Sequence, residues 1–256
     1  MATGAITGHI DVALVALYVF WAFFFGLIYW LRKEDQREGY LLDEKKGDPL
    51  EILVPAVPAQ KPYYLHDGTV AMKPDGIPDT RELNLKQVDP AFGAPMEPTG
   101  ANPMLDGVGP GAYAMRKDEP ETDHSGNPKI QPLRALPDFH IAKEDPDPRG
   151  LPVYAADEVV VGKIVDAWVD RAEALIRYYE VALDGGRSVL VPMVFLDLNV
   201  WRGRATVNVI TSEQFQAVPA TKKPDVVTKL EEDKISAYYA GADVLGGAVR
   251  KKAWSF

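Results

Sequence analysis

Val12-Ala-Leu-Val-Ala-Leu-Tyr-Val-Phe-Trp-Ala-Phe-Phe-Phe-Gly-Leu-Ile-Tyr-Trp-Leu31 is a run of 20 residues without a charge, followed at once by Arg32, Lys33, Glu34, Asp35 and Arg37. As a helix rising 1.5 Å per residue it is roughly 30 Å long, the hydrocarbon thickness of a bilayer. The residues before it carry no Lys or Arg, the run is longer than the apolar core of a signal peptide, and no small-residue cleavage site follows, so a retained anchor is expected. The basic flank lies on the C-terminal side, which places 12–31 in the membrane, the rest of the chain after it in the cytoplasm and residues 1–11 on the opposite side. Tyr29 and Trp30 sit where an interfacial belt belongs, whereas Phe20, Phe23, Phe24 and Phe25 face either lipid or partner helices. The span holds no His, Asp, Glu, Lys or Arg. It therefore offers no imidazole to a chlorophyll or haem and no proton carrier, and any pore or redox chemistry belongs to partner subunits.

Composition narrows the function further. A formal net charge of -9 argues against nucleic acid as a partner, because phosphate neutralisation needs clustered cations. With no cysteine, the chain has no disulfide, thiolate zinc site, iron–sulfur ligation or covalent haem attachment. With the anchor subtracted, a chain of 256 residues leaves room for one ordinary domain and connecting chain.

Eighteen of the 21 prolines fall between Pro49 and Pro152, which excludes long helices and predicts extended, turn-rich chain. Ile52, Leu53, Val54, Tyr63, Tyr64, Leu65, Phe92 and Tyr113 recur through it. A solvated linker has no use for them, so the stretch is expected to lie against a protein surface. From Leu151 the texture becomes β-like. Val159 to Val169 is rich in β-branched residues, Leu175 to Leu183 alternates in part, and Asp184-Gly185-Gly186 predicts a hairpin turn before Ser188 to Leu196. A further strand is expected over Val200 to Ile210. Such strands imply a small antiparallel barrel or sandwich. Thr211 with Gln214 predicts a capping box opening a short helix through Phe215, and Leu230 to Ala240 a longer C-terminal helix.

Few motifs carry chemistry. Gly107-Val108-Gly109-Pro110-Gly111 follows no strand and Pro110 removes an amide a phosphate cradle would use, so it reads as a plain turn. His9, His66, His124 and His140 lack metal-ligand spacing; Asp123-His124 could bind a divalent cation weakly with help from another chain, but no metal site is assigned. No Ser or Thr lies in a nucleophile-elbow signature, so an enzyme acting alone is not expected. Asp166, Asp170, Glu173, Arg177 and Glu180 form the one constellation of interest. They read either as a solvated edge that resists strand pairing or as a carboxylate group sharing protons beside an arginine. Arg32, Lys33 and Arg37 read equally as topology determinants and as holders of anionic lipid headgroups.

Several segments resemble the H subunit of the purple-bacterial photosynthetic reaction centre. They are Leu31-Arg32-Lys33-Glu34-Asp35, Arg37-Glu38-Gly39-Tyr40, Pro98-Thr99-Gly100, Asp106-Gly107-Val108-Gly109-Pro110, Arg149-Gly150-Leu151-Pro152-Val153, Asp166-Ala167-Trp168-Val169-Asp170-Arg171 and Glu231 to Gly241. The similarity keeps one order from about Asp11 to Gly241. It implies a single transmembrane helix, an extended membrane-surface segment over 32–105, and a mainly-β cytoplasmic domain of the PRC-barrel type over 106–256 with a short C-terminal helix. It implies L and M subunits as partners, which carry the bacteriochlorophyll, bacteriopheophytin, quinones and non-haem iron, while this chain binds no cofactor alone. A light-harvesting antenna, a cytochrome subunit and membrane lipid are further candidate partners. The location implied is the photosynthetic inner membrane of a bacterium.

The resemblance also implies a role. A quinone reduced in a site shielded from water needs protons delivered through fixed carboxylates and ordered water. Glu173 and Arg177 match residues near that route and Asp170 lies beside them, so Glu173 is expected to relay protons or set the local potential while Asp170 and Arg177 tune it. Some relatives have two histidines where protons are taken up; this chain has Asp123-His124-Ser125-Gly126-Asn127-Pro128, so intake rests on Asp123 and His124 or moves elsewhere. The alternative function is a membrane-tethered β-domain adaptor unrelated to photosynthesis, which would purify without pigment.

Overall fold

A computed structural model describes Gly4 and residues 11–38, 58–75, 81–82, 84–90 and 94–245. Most of the expected tail 1–11, together with Ile52, Leu53, Val54 and Phe92, lies outside the described residues. The chain divides into two units, Met1–Arg81 and Glu82–Phe256.

In the first unit, helix α1 spans Val12–Asp35, and the Asp11 carboxylate caps it by accepting from the Leu14 amide at 2.7 Å. The helix runs four residues past Leu31. Arg32 and Lys33 favour that extension, since cations are stabilising beside the carbonyls of a helix C-terminus. None of its residues is buried, and it is long and apolar enough to cross a membrane. Phe20 stacks on Phe24 and Trp21 on Phe25, pairs four residues apart on one helix face. Strands β1 (Lys61–Tyr64) and β2 (Val70–Lys73) then form an antiparallel hairpin.

The second unit opens with a two-stranded ladder of β3 (Leu85–Gln87) and β4 (Met96–Pro98). The buried Asp106 follows, its carboxylate accepting from the Gly100 amide at 2.8 Å and the Asn84 side chain at 3.3 Å. Between residues 58 and 152 the described chain holds short strands and 3-10 turns and no α-helix, as the prolines dictate.

The main sheet contains β5 (Ile130–Pro132), β6 (Pro152–Tyr154), β7 (Val160–Asp170), β8 (Leu175–Leu183), β9 (Ser188–Pro192), β10 (Asp197–Asn199) and β11 (Arg204–Thr206). Its order is β10-β11-β6-β7-β8-β9, with β5 paired to β7. All pairs are antiparallel except β11 with β6. Two expected strands are shorter than their sequences suggest. Ser188 to Leu196 leaves the sheet at Pro192, whose ring cannot donate to a ladder. Val200 to Ile210 is interrupted because the Asn199 side chain accepts from the Arg202 amide and Gly203 adopts φ 65°, making a 3-10 turn of Val200–Arg202 and leaving three residues of strand.

Strand β7 is the organising element. Its first half pairs with β6 and its last three residues with β5, while β8 runs along its whole other edge. Irregularities between Ile164 and Asp166 and between Trp168 and Val169 break its alternation. From Asp166 to Asp170 every residue is buried, which a regular strand with one wet face would not allow. Trp168, Ile164, Val181, Val189, Val191 and Phe215 fill the interior, each burial contributing about 1.5–3 kcal/mol.

Helix α2 (Lys229–Leu245) is longer than expected at both ends. Its start is fixed by Thr228 and Glu231, whose side chains accept from each other's amides at 2.9 and 3.2 Å. Thr211 and Gln214 make the same reciprocal pair, but open only a 3-10 turn, Gln214–Ala217. The 107–111 loop packs on α2: a Cβ added at Gly241 would lie 3.1 Å from the Gly111 Cα, so its glycines serve close packing.

Gly162 on β7 is more tightly confined, because a Cβ there would fall 2.0 Å from the Ala182 carbonyl oxygen on β8. Gly162→Ala is expected to lower stability by about 1–3 kcal/mol, the range for overpacking a closed core. Thermal unfolding measures it, and an unchanged midpoint would contradict this packing.

Candidate functional site

The turn between β7 and β8 brings together most of the residues singled out from the sequence. Asp170, the last residue of β7, has no exposed surface. Its Oδ1 accepts from the Ala172 and Glu173 amides at 3.0 and 3.1 Å, which closes the turn. Its Oδ2 lies 3.2 Å from Lys129 Nζ and 3.9 Å from Arg177 Nε. Glu173 is half-exposed, with its carboxylate 3.6 Å from the same Lys129 ammonium. Lys129 also approaches Glu121 at 3.9 Å, so one ammonium faces three carboxylates. Burial works to lower the Lys129 pKa, but Asp170, Glu121 and Glu173 outweigh it and hold the ammonium above its ordinary value.

Register puts Lys129 there. Ile130 on β5 pairs with Asp170, so the residue before Ile130 reaches the turn, and the Arg171 amide donates to the Lys129 carbonyl at 2.8 Å. Arg171 in turn lies 3.2 Å from the Asp123 carboxylate. Asp123 Oδ1 accepts from the Ser125 and Asn127 amides at 2.9 and 3.0 Å, building the tight loop that precedes Lys129. These amides, together with the Arg171 and His124 charges and against a smaller effect of desolvation, hold Asp123 below the usual carboxylate range. Its contribution to stability is therefore present above about pH 4 and lost as the pH falls through its lowered value. His124 is exposed beside it. The structure thus joins Asp123, Asp170, Glu173 and Arg177, with His124 at the rim.

The constellation read from the sequence divides in two. Asp166 and Glu180 face each other across β7 and β8, two like charges in register. Arg134 resolves that conflict: its Nη1 donates to Asp166 at 3.2 Å and to Glu180 at 2.5 Å, its Nε to Asp225 at 2.8 Å. The Trp168 indole also donates to Glu180, at 3.0 Å. Both carboxylates are structural partners of Arg134, at a distance along the strand from Asp170.

Lys129, Arg171, Arg134 and Glu121 were not foreseen, because each meets its partners through long-range register with no local spacing to mark it. Glu232 on α2 was missed likewise. It lines a cleft of about 270 Å³ with Arg116, Arg177, Tyr178, Met193 and Ser236, and accepts from the Tyr178 hydroxyl at 3.0 Å. Burial pushes the Glu232 carboxyl up, against the pull of the Tyr178 hydrogen bond and the Arg177 and Arg116 charges.

In the first unit, Arg37 is held by its own chain. It donates to both Glu34 oxygens, at 2.7 and 3.2 Å, and to the Ala59 carbonyl. Arg32 is exposed and Lys33 half-buried. Among the described residues no group of three or more His, Asp or Glu is placed to hold a metal ion.

Two family models match the chain. The one described as photosynthetic reaction centre, H-chain N-terminal region, matches residues 4–135, and the one described as PRC-barrel domain matches residues 141–214.

The raised pKa of Glu232 has a sign that can be tested. The neutral carboxyl is favoured in the folded state, so the folded protein loses stability as pH rises through the Glu232 value. Glu232→Gln, which keeps an acceptor for Tyr178, is expected to gain stability over the parent at pH 8 and to lose that advantage below about pH 4. Denaturant titration at both pH values measures it, and a pH-independent difference would contradict the assignment.

Proposed function

The chain belongs to the photosynthetic reaction-centre H-chain family, and on that premise we propose that it caps the cytoplasmic face of the L and M subunits and helps deliver protons to the secondary quinone. The family is a non-catalytic accessory subunit of the reaction centre with one membrane helix. Membership sets aside the adaptor alternative. In this reading the quinones and pigments reside on the partner subunits and supply the electron transfer. This chain contributes charge, hydrogen bonds and proton carriers.

The observation that supports proton delivery is a chain of contacts ending at the turn: Asp123 pairs with Arg171, the Arg171 amide donates to the Lys129 carbonyl, and Lys129 pairs with Asp170 and Glu173, with Arg177 beside them. Asp170 and Glu173 have different work within it. Asp170 is fully buried and tied by two amides and a lysine, so it serves as a fixed negative charge. Glu173 is half-exposed on the turn beside Lys129 and free to change partners, which suits a group that takes up and passes on a proton. His124 is exposed, next to the largely shielded Asp123, and is where a proton would be taken from water.

The basic flank of α1 supports a periplasmic N-terminus and a cytoplasmic β domain in the photosynthetic membrane. Residues 32–105 then run along the membrane surface before the barrel. Arg32 and Lys33 are the residues suited to anionic headgroups, since Arg37 is engaged with Glu34 and Ala59.

Glu173→Gln in the assembled reaction centre is expected to slow proton-coupled reduction of the secondary quinone by about tenfold or more, equivalent to at least about 1.4 kcal/mol on the barrier. Flash-induced absorbance kinetics between about pH 5 and 9 measure this. Kinetics equal to the parent at every pH would remove Glu173 from the route.

A further inference from the structure

The β1–β2 hairpin carries its side chains the wrong way round for a hairpin in water. In its register Pro62 pairs with Met72 and Tyr64 with Val70, and alternation puts these four on one face. That face is wholly apolar and wholly exposed, with Tyr64 at 82%, Val70 at 49% and Met72 at 42%. The other face holds Lys61, Lys73, Tyr63 and Ala71, and three of these four are half-buried. Lys61 lies over the Tyr63 ring on that same side.

The hairpin is rigidly made and rooted at the end of α1. Its turn is closed by the Leu65 amide donating to the Thr69 carbonyl at 2.9 Å, and by Asp67 accepting from the Thr69 amide and hydroxyl at 2.9 and 2.6 Å. Its open end is tied by the Gln60 side chain, which donates to the Pro74 carbonyl at 3.0 Å. The Arg37 guanidinium donates to the Ala59 carbonyl, two residues before β1. Arg37 lies in the 3-10 turn that follows α1, six residues past the apolar span, so the strand pair begins close to the membrane surface. An isolated two-stranded hairpin is marginal in water, and its bare apolar face needs a neighbour.

We propose that the Pro62, Tyr64, Val70 and Met72 face lies in the bilayer interface, making the hairpin a second, monotopic contact of this chain with lipid. Continuity with the membrane helix through Arg37 and Ala59 identifies the occupant. The chemistry of both faces agrees. Tyrosine prefers the acyl–headgroup boundary, and Val and Met prefer the acyl side. Lys61 on the opposite face is placed to reach anionic headgroups from above, as long cationic side chains do at a membrane surface, whereas Lys73 is paired with Asp75.

The absence of cysteine permits single-site labelling of the full chain. Met72→Cys, Ala71→Cys and Val19→Cys variants would be spin-labelled, reassembled with the partner subunits in phosphatidylcholine and phosphatidylglycerol vesicles, and tested for collision with oxygen and with a water-soluble nickel complex. Position 72 is expected to favour oxygen over nickel several-fold, as position 19 in the span does, while position 71 favours nickel relative to position 72. Strong nickel relaxation at 72 would overturn the proposal in favour of open solvent. Protection at 72 from both reagents would overturn it in favour of a docked protein surface. Failure at position 19 as well would overturn the membrane helix itself, a result distinguishable from failure of the hairpin alone.

Discussion

A carboxylate without solvent at the end of a strand is costly unless a cation and hydrogen bonds come with it. Asp170 meets that demand with two turn amides, Lys129 and Arg177, and the surroundings follow from those needs. The amides fix the β7–β8 turn and so the position of Glu173. The lysine must come from the strand that pairs with the end of β7, which ties β5 and the loop of Asp123 to the same point. A single buried charge thus joins three stretches of chain that have no local reason to meet.

The same strand solves the reverse problem a few residues earlier. Asp166 and Glu180 face each other in register, and Arg134 answers both with one guanidinium while also holding Asp225 and the Pro224 carbonyl. The difference between the two clusters is exposure of the acids. Asp166 and Glu180 are shielded and bridged by one cation, whereas Glu173 is half-open beside an ammonium already shared among three carboxylates. Shielded, bridged acids in mid-strand and a half-open carboxylate just beyond the strand's end thus set the two clusters apart.

Helix α1 was legible because a long uncharged run leaves few alternatives, and β8 because Leu175 to Leu183 alternates between two turns. The turn at Asp184 to Gly186 was legible for its glycines; Gly186 takes φ 82°. What was not legible depended on side chains reaching across the fold. Asn199 capping a 3-10 turn and Gly203 in the left-handed region cut a β-branched run that looked continuous. Asp166 and Asp170 alternate with the buried Ile164 and Trp168 and are buried with them, although their charge reads as a wet edge. Lys129 and Arg134 are ordinary basic residues in a proline-rich stretch, and Arg134 stands 32 residues before Asp166. Carboxylates in a strand can be found by inspection, but the cations that decide what they do arrive by register.

The pairing of Lys129 with Asp170 is tested most directly by a double-mutant cycle of Lys129→Met and Asp170→Asn, read by denaturant unfolding at neutral pH. Asparagine keeps the Oδ1 acceptor for the turn and removes the charge. Lys129→Met alone is expected to cost about 3–5 kcal/mol, the range for a buried charge deprived of its partner, and the added Asp170→Asn to restore most of it. Costs that simply add, or a Lys129→Met protein as stable as the parent, would contradict the account.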